Sequence, residues 1–262
     1  MDTVTLTTAD GLNLFGMLAT VLWHSIRIGA AMQVLPAIGG KGMPVRARML
    51  VVLVLAAALG GVLPPPPPAS VDAVTALNVL REYAIGVSIG LVFRLAFEAG
   101  TLAGEFASQG MALSFATMTD PANQNQVPVL SSWFFLVFAL VFFSLNGHLA
   151  LIQLLVDSYR AQPIGKPLAD LPGLLAVVPS FFPVVLRTAV LISLPVTVAM
   201  LAVNIMVGVL SRAAPQLNPI QIGMPLALLI GLALLVVLAR DLLDPVQALF
   251  GQAFEAARAV TD

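Results

Sequence analysis

Six apolar stretches separated by short polar or proline-marked breaks organise this chain, at residues 12–35, 49–63, 71–97, 127–156, 184–210 and 220–239. A bilayer core about 30 Å thick takes about 20 helical residues per crossing. The pattern therefore predicts an all-α membrane protein with about six hydrophobic helical segments. Two stretches fit one straight crossing badly. Residues 49–63 are short, and residues 127–156 would make a rod of roughly 45 Å as a single helix. Kinked or broken helices are expected, with breakers at Asn146-Gly147, at Pro179 and Pro183 ahead of the fifth stretch, and at Pro195 and Pro225 inside the fifth and sixth.

Between the third and fourth stretches runs EFASQGMALSFATMTDPANQNQVP, Glu105 to Pro128, whose only charges are Glu105 and Asp120. Lipid cannot hydrogen-bond a polar backbone, so such a segment must lie in water, line a water-filled path or pack against protein. It is too poor in charge for an ordinary surface loop, and residues 105–126 are read as a distinct polar element. At the other end, Val246, Leu249, Phe250, Ala253, Phe254 and Ala257 recur at helical spacing opposite Gln247, Gln252, Glu255 and Arg258. Residues 246–262 are thus an amphipathic helix for a membrane surface or a partner. Pro64 to Pro68 reads as a stiff polyproline II connector.

Composition agrees with the pattern. Hydrophobic residues are 59% and charged residues 10%, where a soluble domain carries about 25% charged residues. The 262 residues leave little beyond the hydrophobic segments, which predicts one integral membrane domain over 1–262. A net charge of −1 gives no footprint for nucleic acid, and the lack of cysteine excludes a disulfide framework and thiolate metal sites. The first residues lack a basic region ahead of the first apolar stretch, so a cleaved signal peptide is not expected. Lys41, Arg46 and Arg48 place the first connection in the cytoplasm by the positive-inside rule. Parity then puts the connection from Glu98 to Gln126 there too, although it holds no lysine or arginine. That conflict favours a segment enclosed by an assembly.

Charges inside apolar stretches should face protein or water. Arg94 and Glu98 are four residues apart, with Glu105 on nearly the same helical face. Gly86 and Gly90 continue that face. Gly100 and Gly104 form a second close-packing pair on roughly the opposite side, against either the chain's own helices or other subunits. His24, Arg27 and Arg187 are read as buried pair members or interfacial anchors. His148, beside the Asn146-Gly147 break, suits a capping or hydrogen-bonding residue better than a catalytic base. No metal set and no nucleophile motif accompany it. The chain is not read as an enzyme, and no cofactor is implied.

The runs GEFASQGMALSFATMTDPANQNQVPVL, FFSLNGHLALIQLLVDSYRAQPIG and SRAAPQLNPIQIGMPLALLIGL closely resemble the FliR/SctT family of type III export-gate subunits. The likeness spans nearly the whole chain, and SFATMTDP followed by PVL looks more like the flagellar branch than the injectisome branch. It implies kinked helical hairpins within a hetero-oligomeric gate, built with FliP-like and FliQ-like membrane subunits and an FlhB-like switch protein. It also implies an inner-membrane location at the flagellar basal body, and unfolded export substrates as transient partners.

In that family, the segment matching Gln109 to Gln126 plugs the pore. The residues so implicated are Gln109, Gly110, Met111, Ser114, Phe115 and Thr117, with Met118, Asp120 and Pro121. Gly104 and Gly110 would supply hinge freedom. Asn146, Gly147 and His148, with Pro215, Gln216 and Asn218, carry the family's structural motifs. A seal of small, hydroxyl and methionine residues has few strong charged pairs to break when it opens. Two other classes share the composition. A small secondary transporter should show internal repeats and work without partners. An intramembrane protease would pair His148 with Ser131 or Ser132.

Overall fold

The computed structural model describes residues 14–36, 43–67, 72–111, 129–167, 171–213 and 219–261. Its described residues form eight helices and no strand: α1 (Leu14–Val34), α2 (Val45–Gly60), α3 (Ala73–Gly110), α4 (Val129–Ser144), α5 (Gly147–Ala161), α6 (Leu171–Ala213), α7 (Pro219–Asp241) and α8 (Leu243–Arg258). The all-α membrane fold is borne out. Helices α1, α3 and α6 are each long and apolar enough to cross a bilayer, and the bent pairs α4/α5 and α7/α8 raise the count to five. With 16 residues, α2 is too short for a span of its own.

Two helix boundaries differ from the hydropathy reading. The 38 residues of α3 carry no proline, so the helix does not stop where apolar character fades near Phe97. Residues from Glu98 to Gly110, read as the start of a connection, are its last turns. Its start is set by Asp72, whose Oδ1 accepts the Thr75 backbone N–H at 2.7 Å, the geometry of an N-cap. Helix α6 likewise begins at Leu171 and passes through Pro179, Pro183 and Pro195 without interruption. A membrane helix tolerates proline where nearby hydroxyls and helices satisfy the freed backbone groups. Along α6 the Ser180, Ser193 and Thr197 hydroxyls donate back to the carbonyls of Val177, Val190 and Ser193 at 2.9, 3.1 and 2.9 Å, whereas the carbonyls freed by the prolines are those four residues earlier, of Leu175, Pro179 and Leu191. Pro225 also lies within a continuous helix.

The predicted break at Asn146-Gly147 is real. Helix α4 ends at Ser144, and Asn146 takes a left-handed conformation at φ 56°, the only positive φ of a non-glycine residue among those described. Asparagine tolerates that region better than most side chains.

Contacts divide the chain into two compact units, each assembled from separated segments. The first contains Met1–Arg94, Asn146–Phe181 and Gln252–Asp262, the second Leu95–Leu145 and Phe182–Gly251. Three of the four boundaries fall inside the continuous helices α3, α6 and α8. In the first unit, α1 and α2 form an antiparallel hairpin: Gly60 lies against Thr20, and Gly29 against Val52. Ile28, Met32, Val52, Ala56, Leu63, Val156 and Tyr159 make its core. The second unit is centred on phenylalanine. Phe97 packs on Phe135, Phe142 and Phe250 with centroids 5.7, 5.4 and 5.2 Å apart, and Phe250 also meets Phe138 and Phe142. Rings at these separations and tilts add attraction beyond their buried area.

Helix α8, Leu243–Arg258, uses its apolar face inside the chain. Val246, Leu249 and Phe250 are buried in the second unit, and Ala253 and Ala257 in the first, where Phe254 stacks edge-on to Phe93 at 4.8 Å. A membrane surface is therefore not what covers that face.

Candidate functional site

Residues 112–128, which hold most of the implicated plug, lie outside the described residues, so Ser114, Phe115, Thr117, Met118, Asp120 and Pro121 have no structural account. What the structure does define is how the two ends of this stretch are held, both in the second unit.

On the incoming side, Met111 is 1% exposed and lies over Gly231 of α7. A Cβ at Gly231 would fall 2.6 Å from Met111 Cγ and 2.7 Å from its sulfur. Gly110, one residue earlier, faces Met200 of α6, whose Cβ would be 2.9 Å from an added Cβ. Gln109 is exposed and, with Phe106, Gly110, Val190, Ser193 and Thr197, lines a cleft of about 240 Å³.

On the outgoing side, Gly104 of α3 abuts the start of α4: an added Cβ would sit 2.7 Å from the Leu130 carbonyl oxygen and the Ser131 nitrogen. Backbone cannot move aside as a side chain can, so only glycine fits there. Four residues back, Gly100 lets the Phe138 ring approach, with Cδ2 2.8 Å from an added Cβ. Close approach, rather than hinge freedom, is the reason for Gly104, and Gly110 shares it. The stretch thus leaves and re-enters two helices clamped together at Gly104, with its first residue wedged against a third.

The other glycine pair answers the question of what it packs against. In the first unit, an added Cβ at Gly86 would clash with the Arg27 carbonyl and stand 2.8 Å from Ala30 Cβ, and one at Gly90 would stand 2.6 Å from the Ala31 carbonyl oxygen. Both pairs serve contacts within this chain. Arg94 and Glu105 are exposed, and Glu98 is half-buried. The chain therefore does not bury Arg94 and Glu98 as a shielded pair.

The buried ion pair is a different one. Arg27 of α1 and Glu82 of α3 are 0% and 2% exposed, joined by a two-pronged contact: Nε to Oε2 at 2.8 Å and Nη2 to Oε1 at 3.0 Å. Arg27 also donates from Nη1 to Ser158 Oγ at 3.0 Å and from Nη2 to the Gln162 carbonyl at 2.8 Å, so four of its donors are used. Its guanidinium lies 4.1 Å from the centroid of the Tyr159 ring, and the Tyr159 hydroxyl donates to the His24 carbonyl at 2.7 Å. His24 Nδ1 lies 2.8 Å from the Thr20 carbonyl. Arg27 and His24 are thus buried members of one network joining α1, α3 and α5, as their place in an apolar stretch implied. Glu82 and Tyr159 were missed. A buried arginine announces the need for an acid, but no periodicity links positions 55 residues apart.

Asn146 is exposed, Gly147 buried and His148 half-buried at the start of α5; Pro215, Gln216 and Asn218 lie outside the described residues. Ser131 is 1% exposed beneath the Gly104 contact, and its hydroxyl has no hydrogen-bond partner among the described residues. A serine nucleophile needs a base within hydrogen-bond reach and access for substrate. Ser131 has neither, and nothing in the described chain indicates catalysis.

The described residues are those of an all-α protein of long and broken membrane helices, and sequence kinship then gives its family. The chain matches the model of bacterial export proteins, family 1, over residues 18–253, and belongs to that family. The flagellar biosynthetic protein FliR of Escherichia coli (strain K12) is 30% identical over 232 residues, covering 88% of each chain. The FliR of Aquifex aeolicus (strain VF5) is 32% identical over 163 residues, 60% of each, and that of Bacillus subtilis (strain 168) is 24% identical over 235 residues, 89% of this chain and 91% of the relative. The flagellar naming of these relatives favours the flagellar branch over the injectisome branch.

Proposed function

We propose that this chain is a core subunit of the flagellar type III export gate, helping to form and close the pore through which unfolded flagellar proteins leave the cell. The observation that carries it is kinship along 88% of the chain with a flagellar biosynthetic protein, within a family of export proteins. The gate lies in the bacterial inner membrane at the flagellar basal body. FliP-like and FliQ-like subunits and an FlhB-like switch protein complete it. The outer surface of α6 suits such an assembly or lipid, since Leu191, Val198, Leu201, Ile205 and Val209 are all exposed.

Within the gate, the stretch from Gln109 to Gln126 acts as the plug. Its clamped ends support this role. A seal closes a pore repeatedly only if its two attachment points stay put, and Gly104 against Ser131 and Met111 over Gly231 hold them. No nucleotide-binding pattern occurs in the sequence, so the energy for export comes from outside this subunit.

The test is gentle detergent extraction followed by conductance. A particle containing several small membrane proteins supports the gate, whereas a lone 27.4 kDa chain that transports unaided refutes it. Removing residues 113–126 while keeping Met111 should leave an assembled complex that leaks ions, and Phe115→Glu should give a milder leak, because a charge in a seal draws water in. A shortened complex as tight as wild type would remove the plug role and leave the gate role standing.

A further inference from the structure

Helices α1 and α3 run parallel in the first unit, since the contacts between them rise together along both sequences. An added Cβ at Gly86 would clash with the Arg27 carbonyl, and one at Gly90 would stand 2.6 Å from the Ala31 carbonyl oxygen and 3.2 Å from the Ala31 Cα. The side chains over these glycines repeat as well: Ala30 Cβ lies over Gly86, and Val34 Cβ, four residues on, over Gly90. The glycines thus receive backbone and a single β-carbon, and every turn of a helix presents the same backbone. Sliding α1 by one turn, about 5.4 Å, brings Ala31 and Val34 to Gly86 and re-forms the contact there. Apolar side chains displaced by the slide meet other apolar side chains. Packing alone therefore separates these alignments poorly.

One contact does not repeat. Arg27 is the only lysine, arginine or carboxylate residue of α1, and Glu82 the only carboxylate residue of α3 within the first unit. One turn to either side of Glu82 stand Asn78 and Gly86, neither of them charged. A slid α1 would leave Arg27 and Glu82 unpaired and away from water. It would also forfeit the bonds to Ser158 and the Gln162 carbonyl, through which Arg27 fixes α1 on α5. Stranding buried charge costs far more than exchanging one apolar neighbour for another. We propose that the Arg27–Glu82 pair is a register lock, selecting one alignment of the α1–α2 hairpin on α3 and α5 from several that pack almost equally well. Its net contribution to stability is small, and its contribution to a single structure is large. The lock lies within the first unit and is independent of the gate and plug roles.

The chain has no cysteine, so spin labels can be placed at will on the full-length chain, extracted with cysteine-free partner subunits. Two label pairs use residues exposed on this chain: Met17→Cys with Tyr83→Cys, and Leu22→Cys with Val74→Cys. The pairs are offset in opposite directions along the helix axes. A slide of α1 therefore lengthens one distance while it shortens the other, whereas loosening broadens both alike. With Arg27 and Glu82 intact, each pair should give one distance, any slid population lying about a hundredfold or more below it. Arg27→Met with Glu82→Met should add a second distance to both pairs, opposite in sense and populated to roughly a tenth or more. Ser158→Ala removes a hydrogen bond of Arg27 but not the ion pair, and should keep the single distances. Single native distances in the double variant, or the same broadening in both pairs, would overturn the proposal. So would a second register in Ser158→Ala, or a double variant that yields no folded chain, since the pair would then supply stability and not register.

Discussion

The two units are held together by opposite means. The first has at its centre a fully buried arginine with four donors engaged and an aromatic ring beneath it. The second has glycines pressed against backbone and a cluster of phenylalanines. Burying an ion pair costs desolvation that the attraction barely offsets, so such a pair contributes geometry more than net stability. Close packing of small and aromatic residues contributes dispersion energy and tolerates no added volume. The unit that carries the ends of the polar stretch is therefore the one centred on small and aromatic residues.

The comparison breaks most sharply at Arg27. Arg27→Met leaves Glu82 buried and uncompensated, and should destabilise the protein by about 3–5 kcal/mol, read as loss of extractable, assembled complex. The double replacement Arg27→Met with Glu82→Met should recover most of that loss. A double variant as damaged as the single would show that the network supplies stability beyond pairing.

Phe250→Ala is the counterpart in the second unit and should cost about 3–5 kcal/mol through the cavity left among Phe97, Phe138 and Phe142. No second polar change should rescue it. Thermal unfolding in detergent would show the difference, and rescue by a polar partner would contradict the contrast.

Glycine substitutions sharpen it further. Gly104→Ala meets backbone and should cost about 1–3 kcal/mol. Gly100→Ala meets the Phe138 ring, which can shift, and should cost less. Equal effects would mean that α4 moves as readily as a ring turns. The smallest effect belongs to Arg94→Ala and Glu98→Ala. With Arg94 exposed on this chain, each should change the subunit's own stability by about 1 kcal/mol or less. A loss of assembled complex without loss of subunit stability would place their shielding in a neighbouring subunit.

Much of this fold was legible along the chain. The apolar stretches gave the helices, because a bilayer demands about 20 apolar residues whatever the neighbours are. The break at Asn146-Gly147 was equally local, since asparagine tolerates a left-handed residue. The prolines misled because a membrane helix accommodates proline where its surroundings allow, so a proline in the sequence does not by itself mark a break, as the continuous α6 demonstrates. The end of α3 misled because fading hydropathy marks the end of an apolar surface and not the end of a helix.

Of the candidate site, the sequence by itself determined its composition: a nearly uncharged polar stretch between membrane helices, flanked by glycines at helix-packing spacing. It also determined that Arg27 needs a partner. Only the tertiary structure decided that Gly104 meets the Ser131 backbone, that Met111 rests on Gly231, and that Arg27 pairs with Glu82 while Arg94 stays exposed. The physical reason is one of range. Solvation and backbone preferences act on each residue where it stands, whereas pairing and close packing join residues whose separation, 55 positions for Arg27 and Glu82, is set by how helices cross.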